Sequence, residues 1–88
     1  MQVLDFTAPW CGPCKMFKPV VEMVSGELGV NINYINVDYD ASFAERYSVT
    51  SVPTLIILDG QGQVAYRNSG VMPKDQLSRV LTQFRWYL

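Results

Sequence analysis

Histidine is absent from this chain of 88 residues, and cysteine occurs only twice. Without histidine the protein lacks the usual general base and the commonest metal ligand, which excludes a cysteine–histidine hydrolase. A zinc site within one chain usually needs four cysteine or histidine ligands, so carboxylates would have to complete one here. We therefore expect no bound metal.

A strong charge imbalance and long apolar runs are also lacking. Seven basic and eight acidic residues give a net charge of −1, which offers no electrostatic support for binding nucleic acid or an anionic membrane. The longest apolar run, Leu55 to Leu58, is too short to cross a bilayer, and no signal peptide is visible. Length and a 49% hydrophobic content predict one globular domain, residues 1–88, in the reducing cytoplasm.

The apolar pattern predicts four strands and three helices in the order β-α-β-α-β-β-α. The strands are expected at Met1 to Phe6, Ile32 to Val37, Thr54 to Leu58 and Val64 to Asn68. A helical crossover makes the first two strands parallel, and the turn at residues 59–62 makes the last two antiparallel. We predict an α/β fold with a four-stranded mixed sheet flanked by three helices.

Each predicted helix has its own start and stop signals. The first begins at Pro13, contains Pro19 and ends at Gly26 and Gly29; Lys15, Lys18 and Glu22 lie on its polar face. The second, Ala41 to Tyr47, has Asp40 as its N-cap. The third begins at Pro73, with an apolar stripe that includes Leu77, Leu81 and Leu88, and Trp86 and Tyr87 are expected against the sheet edge.

The two cysteines stand in the segment Trp10-Cys11-Gly12-Pro13-Cys14, directly after the first predicted strand. Two cysteines separated by two residues beside a βαβ pattern are typical of a redox pair, and a structural staple is disfavoured because the loop is tiny. Unpaired N–H groups and the helix dipole at a helix start lower the pKa of a thiol there. Cys11 is thus the expected nucleophile, partly exposed, and Cys14 the more buried resolving thiol.

The residues around the pair have expected roles of their own. Gly12 permits a close approach, and Pro13 fixes φ without donating an N–H. Trp10 is expected to lie against the site and offer an apolar contact to partners. The patch is completed by Ala8-Pro9, Val52 and Gly70-Val71, and its flat, uncharged character suits transient docking of protein disulfides.

Two further positions allow more than one interpretation. Asp5 interrupts an apolar strand; it is either a solvent-facing strand residue or a buried carboxyl with a raised pKa that takes the proton of Cys14. Pro53 precedes the strand Thr54 to Leu58 and is either an ordinary trans proline or a cis proline that exposes the Val52 backbone to a substrate segment.

Several of these segments resemble the thioredoxin family. The run Asp5-Phe6-Thr7-Ala8-Pro9-Trp10-Cys11-Gly12-Pro13-Cys14-Lys15-Met16 matches its redox motif, and Pro19 matches its helix proline. Residues 47–54 look like the segment that carries its cis-proline, and Gly70 matches the glycine that lines its substrate groove. The resemblance runs nearly end to end and implies the strand order 2-1-3-4.

The resemblance also implies a function. Cys11 would attack, Cys14 would resolve and Asp5 would accept the proton, while Pro53 would be cis and Val52 would bind substrate through its backbone. The Gly12-Pro13 dipeptide is of the reducing type. No cofactor would be bound beyond the Cys11–Cys14 disulfide itself. Electrons would come from NADPH through a thioredoxin reductase, and typical recipients are ribonucleotide reductase and peroxidases.

The sequence departs from the family pattern in three ways. It begins at what is normally the second strand, without the leading strand and helix, which leaves residues 32–37 as an exposed edge, although we expect a monomer. Tyr34 stands where the family often has a lysine near the buried acid, so the charge of Asp5 is expected to be less well compensated. Thr7 replaces a common aromatic residue, and Ser51 replaces a common glycine.

Two other functions stay open on the sequence. A glutaredoxin-like enzyme would use glutathione and would need charged or polar groups near Cys11, of which the neighbouring residues give little sign. A thioredoxin fold can also serve as a scaffold or assembly subunit in which the cysteines are incidental, because folds are reused for unrelated roles.

Overall fold

A computed structural model of the chain describes the backbone of residues 1–87 and the side chains of residues 1–85. The expectations for the Trp86 and Tyr87 side chains and for Leu88 lie outside the described residues. The elements follow the predicted order: β1 (Gln2–Thr7), α1 (Gly12–Leu28), β2 (Ile32–Asn36), α2 (Ala41–Arg46), β3 (Thr54–Leu58), β4 (Val64–Ser69) and α3 (Lys74–Tyr87).

The four strands form one mixed sheet in the order β2-β1-β3-β4, as predicted. β1 and β2 are parallel, with Asp5 opposite Tyr34, whereas β3 is antiparallel to both β1 and β4. Because β1 is central, both of its faces are covered, and Val3 through Phe6 are buried. Among the residues described, the outer edge of β2 pairs with no further strand.

The alternation of side chains along the strands divides the core between the two faces of the sheet. Val3 and Ile57 face α1 and α3, where they meet Phe17, Val21, Val24, Met72, Leu77 and Leu81. Leu4, Phe6 and Ile56 face α2 on the other side, where Phe6 lies edge-on to Phe43 at 5.9 Å between ring centroids. The site described below lies at the end of the sheet where β1 and β2 finish.

Helix α1 begins immediately after Cys11 and ends at Gly29. Gly29 has φ 66°, a conformation that costs glycine little, and its N–H bonds to the carbonyl of Ser25. Gly26 was expected to help end this helix; that expectation is wrong, because Gly26 lies inside it. Asp40 precedes α2 as predicted, but its side chain makes no cap hydrogen bond.

Two polar contacts join α3 to α1, and a tight turn joins β3 to β4. Lys74 of α3 lies 2.9 Å from the carboxylate of Glu27 in α1, and the guanidinium of Arg85 donates to the carbonyl of Leu28. The carboxylate of Asp59 accepts the N–H groups of Gln61 and Gln63 and so closes the β3–β4 hairpin.

None of the helices in the described part of the chain has the length and apolarity needed to span a membrane.

Candidate active site

Cys11 and Cys14 form a disulfide at the start of α1, with their Cα atoms 5.2 Å apart. Cys11 is the N-cap residue, with extended φ −86° and ψ 109°, and its Sγ accepts the backbone N–H of Cys14 at 3.1 Å. The sulfur therefore takes the place that a serine or aspartate oxygen usually fills at a helix start. The N–H of Cys14 has no partner within the helix, and it points at this sulfur along the direction of the helix dipole.

The burial of the two cysteines differs from the expectation. Cys11 was expected to be partly exposed and Cys14 more buried, but each retains only 4% of its accessible surface. The reason is tertiary: both pack with Ala8, and Val37 and Val52 close over them. The carbonyl oxygen of Val52 lies 3.7 Å from the Sγ of Cys11, so a segment 41 residues away forms the wall beside the disulfide.

That wall is the segment around Pro53, and the Val52–Pro53 peptide bond is cis. The carbonyl of Pro53 accepts the N–H of Gly70 at 2.9 Å, which joins the start of β3 to the loop after β4. Gly70 has φ 97°, a region that favours glycine, and the next residue, Val71, is 47% exposed. Gly70 thus lies beside the Val52–Pro53 segment.

Trp10 directly precedes Cys11, and its side chain is 68% exposed. Its indole N–H donates to the carboxylate of Asp38, at 3.0 and 3.3 Å from the two oxygens. A cavity of about 200 Å³ runs beside the indole and is lined by Val37 and residues 49–52 as well as Trp10. The cover over the disulfide comes from Val37 and Val52; Ala8, expected on the surface patch, is buried beneath it.

Gly12 and Pro13 are the first two residues of α1, and both are exposed. Proline is tolerated here because N–H groups in the first helical turn have no partner within the helix. A Cβ atom added to Gly12 would meet no atom within 4 Å. No other part of this chain therefore comes close to Gly12, so the close approach expected there would be that of another molecule.

Asp5 is buried in the centre of the sheet, with 3% of its surface exposed, and among the described residues its Oδ1 has no hydrogen-bond partner. Burial raises the pKa of this carboxyl from 3.8 to about 7, and the charge of Lys18 partly offsets that rise. Of the two interpretations of Asp5, the structure thus contains the buried one. A carboxyl with a pKa near neutrality can exchange a proton at physiological pH.

A second cavity, of about 260 Å³, lies between α1 and the ends of β1 and β2. Its walls are Thr7, Ala8, Pro9, Cys14, Lys15, Lys18, Tyr34 and Asn36. Lys18 was expected on the polar face of α1, and it is exposed there, 3.9 Å from Glu22, while its side chain also lines this cavity. The charge of Asp5 was expected to be less well compensated; the Lys18 charge lowers the pKa of Asp5, but burial outweighs that effect and the pKa is about 7.

The structure therefore brings the predicted site residues to one end of the sheet. Cys11, Cys14, Trp10, Val52, Pro53 and Gly70 are linked through the contacts given above. Sequence reasoning missed Asp38 and Lys18; the signal for Asp38 was that it follows β2 as Trp10 follows β1, and parallel neighbours end at the same edge. Within the described residues, no three histidine, cysteine, aspartate or glutamate side chains are grouped as a metal site would need.

Comparison with known proteins identifies relatives across nearly the whole chain. The Thioredoxin family model matches residues 1–83. The thioredoxin of Bacillus subtilis is 40% identical over 81 residues, which cover 90% of this chain and 77% of that protein.

Solved structures give the same result for the fold. A mutant thioredoxin from Halobacterium salinarum superposes with a TM-score of 0.85 at 33% identity, over 92% of this chain and 71% of that one. Thioredoxin 1 from Thermosipho africanus has the same TM-score over 99% of this chain and 97% of its own, at 22% identity. The latter likeness concerns the fold alone, and it extends over nearly the full length of both chains.

Proposed function

The chain belongs to the thioredoxin family, and on that premise we propose that it reduces disulfides of other proteins through Cys11 and Cys14. The observation that carries the proposal is the Cys14 N–H directed at the Cys11 Sγ at 3.1 Å. When the disulfide is reduced, that donor and the helix dipole favour a thiolate at Cys11 over a thiol. A thiolate, not a thiol, is the nucleophile of disulfide exchange.

The first step is attack by this thiolate on one sulfur of a substrate disulfide. A bond forms between the Cys11 Sγ and that sulfur, and the substrate's other sulfur leaves as a thiolate. The mixed disulfide links the two proteins. At this stage the two reduced sulfurs are the departing substrate thiolate and the thiol of Cys14, and the two oxidised sulfurs are those of the mixed disulfide.

The second step is resolution by Cys14. Because Cys14 is buried, its thiolate is disfavoured and a nearby base is needed to take its proton. Asp5 is suited to that role, since its burial raises the pKa to about 7. The Cys14 thiolate attacks the Cys11 Sγ, the mixed disulfide breaks, and the second substrate sulfur leaves reduced. The protein is left in the oxidised form that the structure contains.

Substrate docking is assigned to the surface around Cys11. Trp10, Gly12, Pro13 and Val71 are exposed and uncharged, so a partner can approach them with little desolvation of charge. The open space above Gly12 leaves room for that approach. The backbone of Val52, with Pro53 and Gly70 beside it, would hold an extended substrate segment in strand fashion.

The electron source is proposed to be NADPH through a thioredoxin reductase, with ribonucleotide reductase and peroxidases among the recipients. The Gly12-Pro13 dipeptide and the family membership support this route over glutathione. We also propose that the protein works as a monomeric single domain in the cytoplasm, as the sequence predicts.

The test is reduction of insulin disulfides with NADPH, comparing thioredoxin reductase with glutathione and glutathione reductase as the donor system. We expect turnover with the first system and little with the second. Turnover with glutathione alone would replace the proposal with the glutaredoxin-like function. Absence of turnover with both donors, by a protein whose disulfide is reduced by dithiothreitol, would indicate a scaffold.

A further inference from the structure

The cavity beside Cys14 contains a charge that the two exchange steps do not use. Lys18 lies one helical turn after Cys14 on α1, and both side chains line the cavity together with Tyr34 from β2. The Lys18 ammonium is 5.4 Å from the centroid of the Tyr34 ring, within the range of a cation–π contact. Tyr34 therefore gives this flexible side chain a preferred position.

The same register places Asp5 next to that position. Asp5 and Tyr34 are opposite each other on parallel strands, so their side chains leave the sheet on the same face, the face covered by α1. The Oδ1 of Asp5 is buried, and no group in the described part of the chain donates a hydrogen bond to it. A buried carboxylate oxygen without a donor depends on nearby charge for its stabilisation.

Four elements contribute groups on this face of the sheet: α1, β2, β3 and α3. α1 contributes Cys14, Lys15 and Lys18 to the cavity, and Lys18 is itself 3.9 Å from Glu22; β2 contributes Tyr34. On β3 the residue opposite Asp5 is Leu55, and α3 packs on this face through apolar residues such as Leu77. Lys18 is the cation whose charge favours ionised Asp5, and Glu22 limits that effect by sharing the ammonium.

We propose that Lys18 is a positioning residue for the resolving step: its ammonium, held over the Tyr34 ring, favours the ionised form of Asp5, which is the form that takes the proton of Cys14. This inference rests on the proposed function for its consequence in turnover. The coupling between Lys18 and Asp5 rests on the Lys18–Tyr34 contact, the pairing of Tyr34 with Asp5 across the strands, and the effect of the Lys18 charge on Asp5. Because the Lys18 side chain is 61% exposed, solvent screens its charge and the effect is modest.

The coupling is tested by titrating Asp5 in the oxidised protein, where neither cysteine titrates, using carbon NMR of labelled aspartate carboxyls. We expect Lys18→Met to raise the midpoint by about half a pH unit, which is about a threefold lower ratio of ionised to protonated Asp5 at a given pH. Lys18→Arg should restore the midpoint. Lys15→Met is the matched control, since Lys15 lines the same cavity.

The consequence is tested in the reduced protein by following release of a substrate from its mixed disulfide with Cys11. At pH 6 this step should slow about threefold in Lys18→Met, in proportion to the loss of ionised Asp5, and recover in Lys18→Arg. An unchanged Asp5 midpoint in Lys18→Met, or an equal rise in Lys15→Met, would overturn the coupling. A shifted midpoint with an unchanged release rate would overturn the positioning role. Failure of the wild-type protein to reduce insulin would remove the proposed function and leave the titration readable.

Discussion

The indole N–H of Trp10 donates to the carboxylate of Asp38, across 28 residues of sequence. Trp10 follows β1 and Asp38 follows β2, so the bond joins the ends of two parallel neighbouring strands. Asp38 is itself oriented locally, because its backbone N–H donates to the side chain of Asn36 at 2.9 Å. An exposed aromatic ring next to the reactive pair is thus held in one orientation by a charged acceptor.

Asp38→Ala should release the Trp10 indole while leaving the disulfide intact. The bond is exposed, so the free energy of unfolding should fall by less than about 1 kcal/mol. If Trp10 contacts substrate, ordering a freed side chain costs about 0.5–1.5 kcal/mol, and KM for insulin should rise about two- to tenfold with little change in kcat. Steady-state kinetics measure KM, and fluorescence in a Trp86→Phe background, where Trp10 is the sole tryptophan, reports the indole. An unchanged KM with an altered fluorescence would show that Trp10 does not contact the substrate.

Cys11→Ser and Cys14→Ser should fail in different ways. Cys11→Ser removes the attacking sulfur and should abolish both insulin reduction and mixed-disulfide formation. Cys14→Ser keeps the attacking thiolate and should accumulate a mixed disulfide that cannot resolve, visible as a band of raised mass on a non-reducing gel. Mixed disulfides formed by Cys11→Ser instead would reverse the two assigned roles.

The thiol of Cys11 should ionise below the ordinary value of about 8.5 in the reduced protein. The cause is the Cys14 N–H directed at its sulfur, and that backbone donor survives in Cys14→Ser. The variant therefore isolates one thiol, and its alkylation rate by iodoacetamide as a function of pH gives the midpoint directly. A midpoint at or above about 8.5 would contradict the role of the helix start.

Asp5→Asn should stabilise the protein in a pH-dependent manner. The folded-state pKa of Asp5 is raised from 3.8 to about 7, so between these pH values the folded protein holds a proton that the unfolded chain has lost. The stability of the wild-type protein must then fall as pH rises through this window, and removing the carboxylate recovers up to about 4 kcal/mol at pH 8.

Urea unfolding of the oxidised protein at pH 4 and at pH 8 measures this difference. At pH 4 wild type and Asp5→Asn should be nearly equal in stability, because Asp5 is protonated in the folded state. Asp40→Asn is the control, since Asp40 is exposed and its side chain makes no cap hydrogen bond. Equal pH slopes for wild type and Asp5→Asn between pH 4 and 7 would refute the raised pKa.

The element order and sheet topology were predictable because local patterns carry them. The β-branched, apolar run Thr54–Leu58 is a strand with exactly those bounds, since both faces of β3 are covered. Other ends move by a residue or two: β1 runs to Thr7 and β2 stops at Asn36. Such ends depend on which backbone groups find partners across the sheet, and a periodic pattern does not encode that.

The parts of the site that consecutive residues form were predictable from the sequence. The parts that form where distant segments meet were less so. The sequence predicted a cysteine sulfur near the start of a helix that begins at Pro13; the helix begins one residue earlier, at Gly12, which makes Cys11 its N-cap. Its burial depends on Val52, 41 residues away, and could not be read from the local sequence. The cis state of Pro53 followed from the family resemblance alone. The reach of Lys18 depends on how α1 is rotated against β2, which only packing decides.

The free side of β2 has a consequence for handling the protein at high concentration. In the described part of the chain its outward N–H and C=O groups meet no neighbouring strand, and Ile32–Asn36 contains neither a lysine nor a proline. Those residues are the usual means by which natural sheets block edge-to-edge growth. Asn33 is exposed, so Asn33→Lys would place such a charge on this edge and discourage pairing with a second chain.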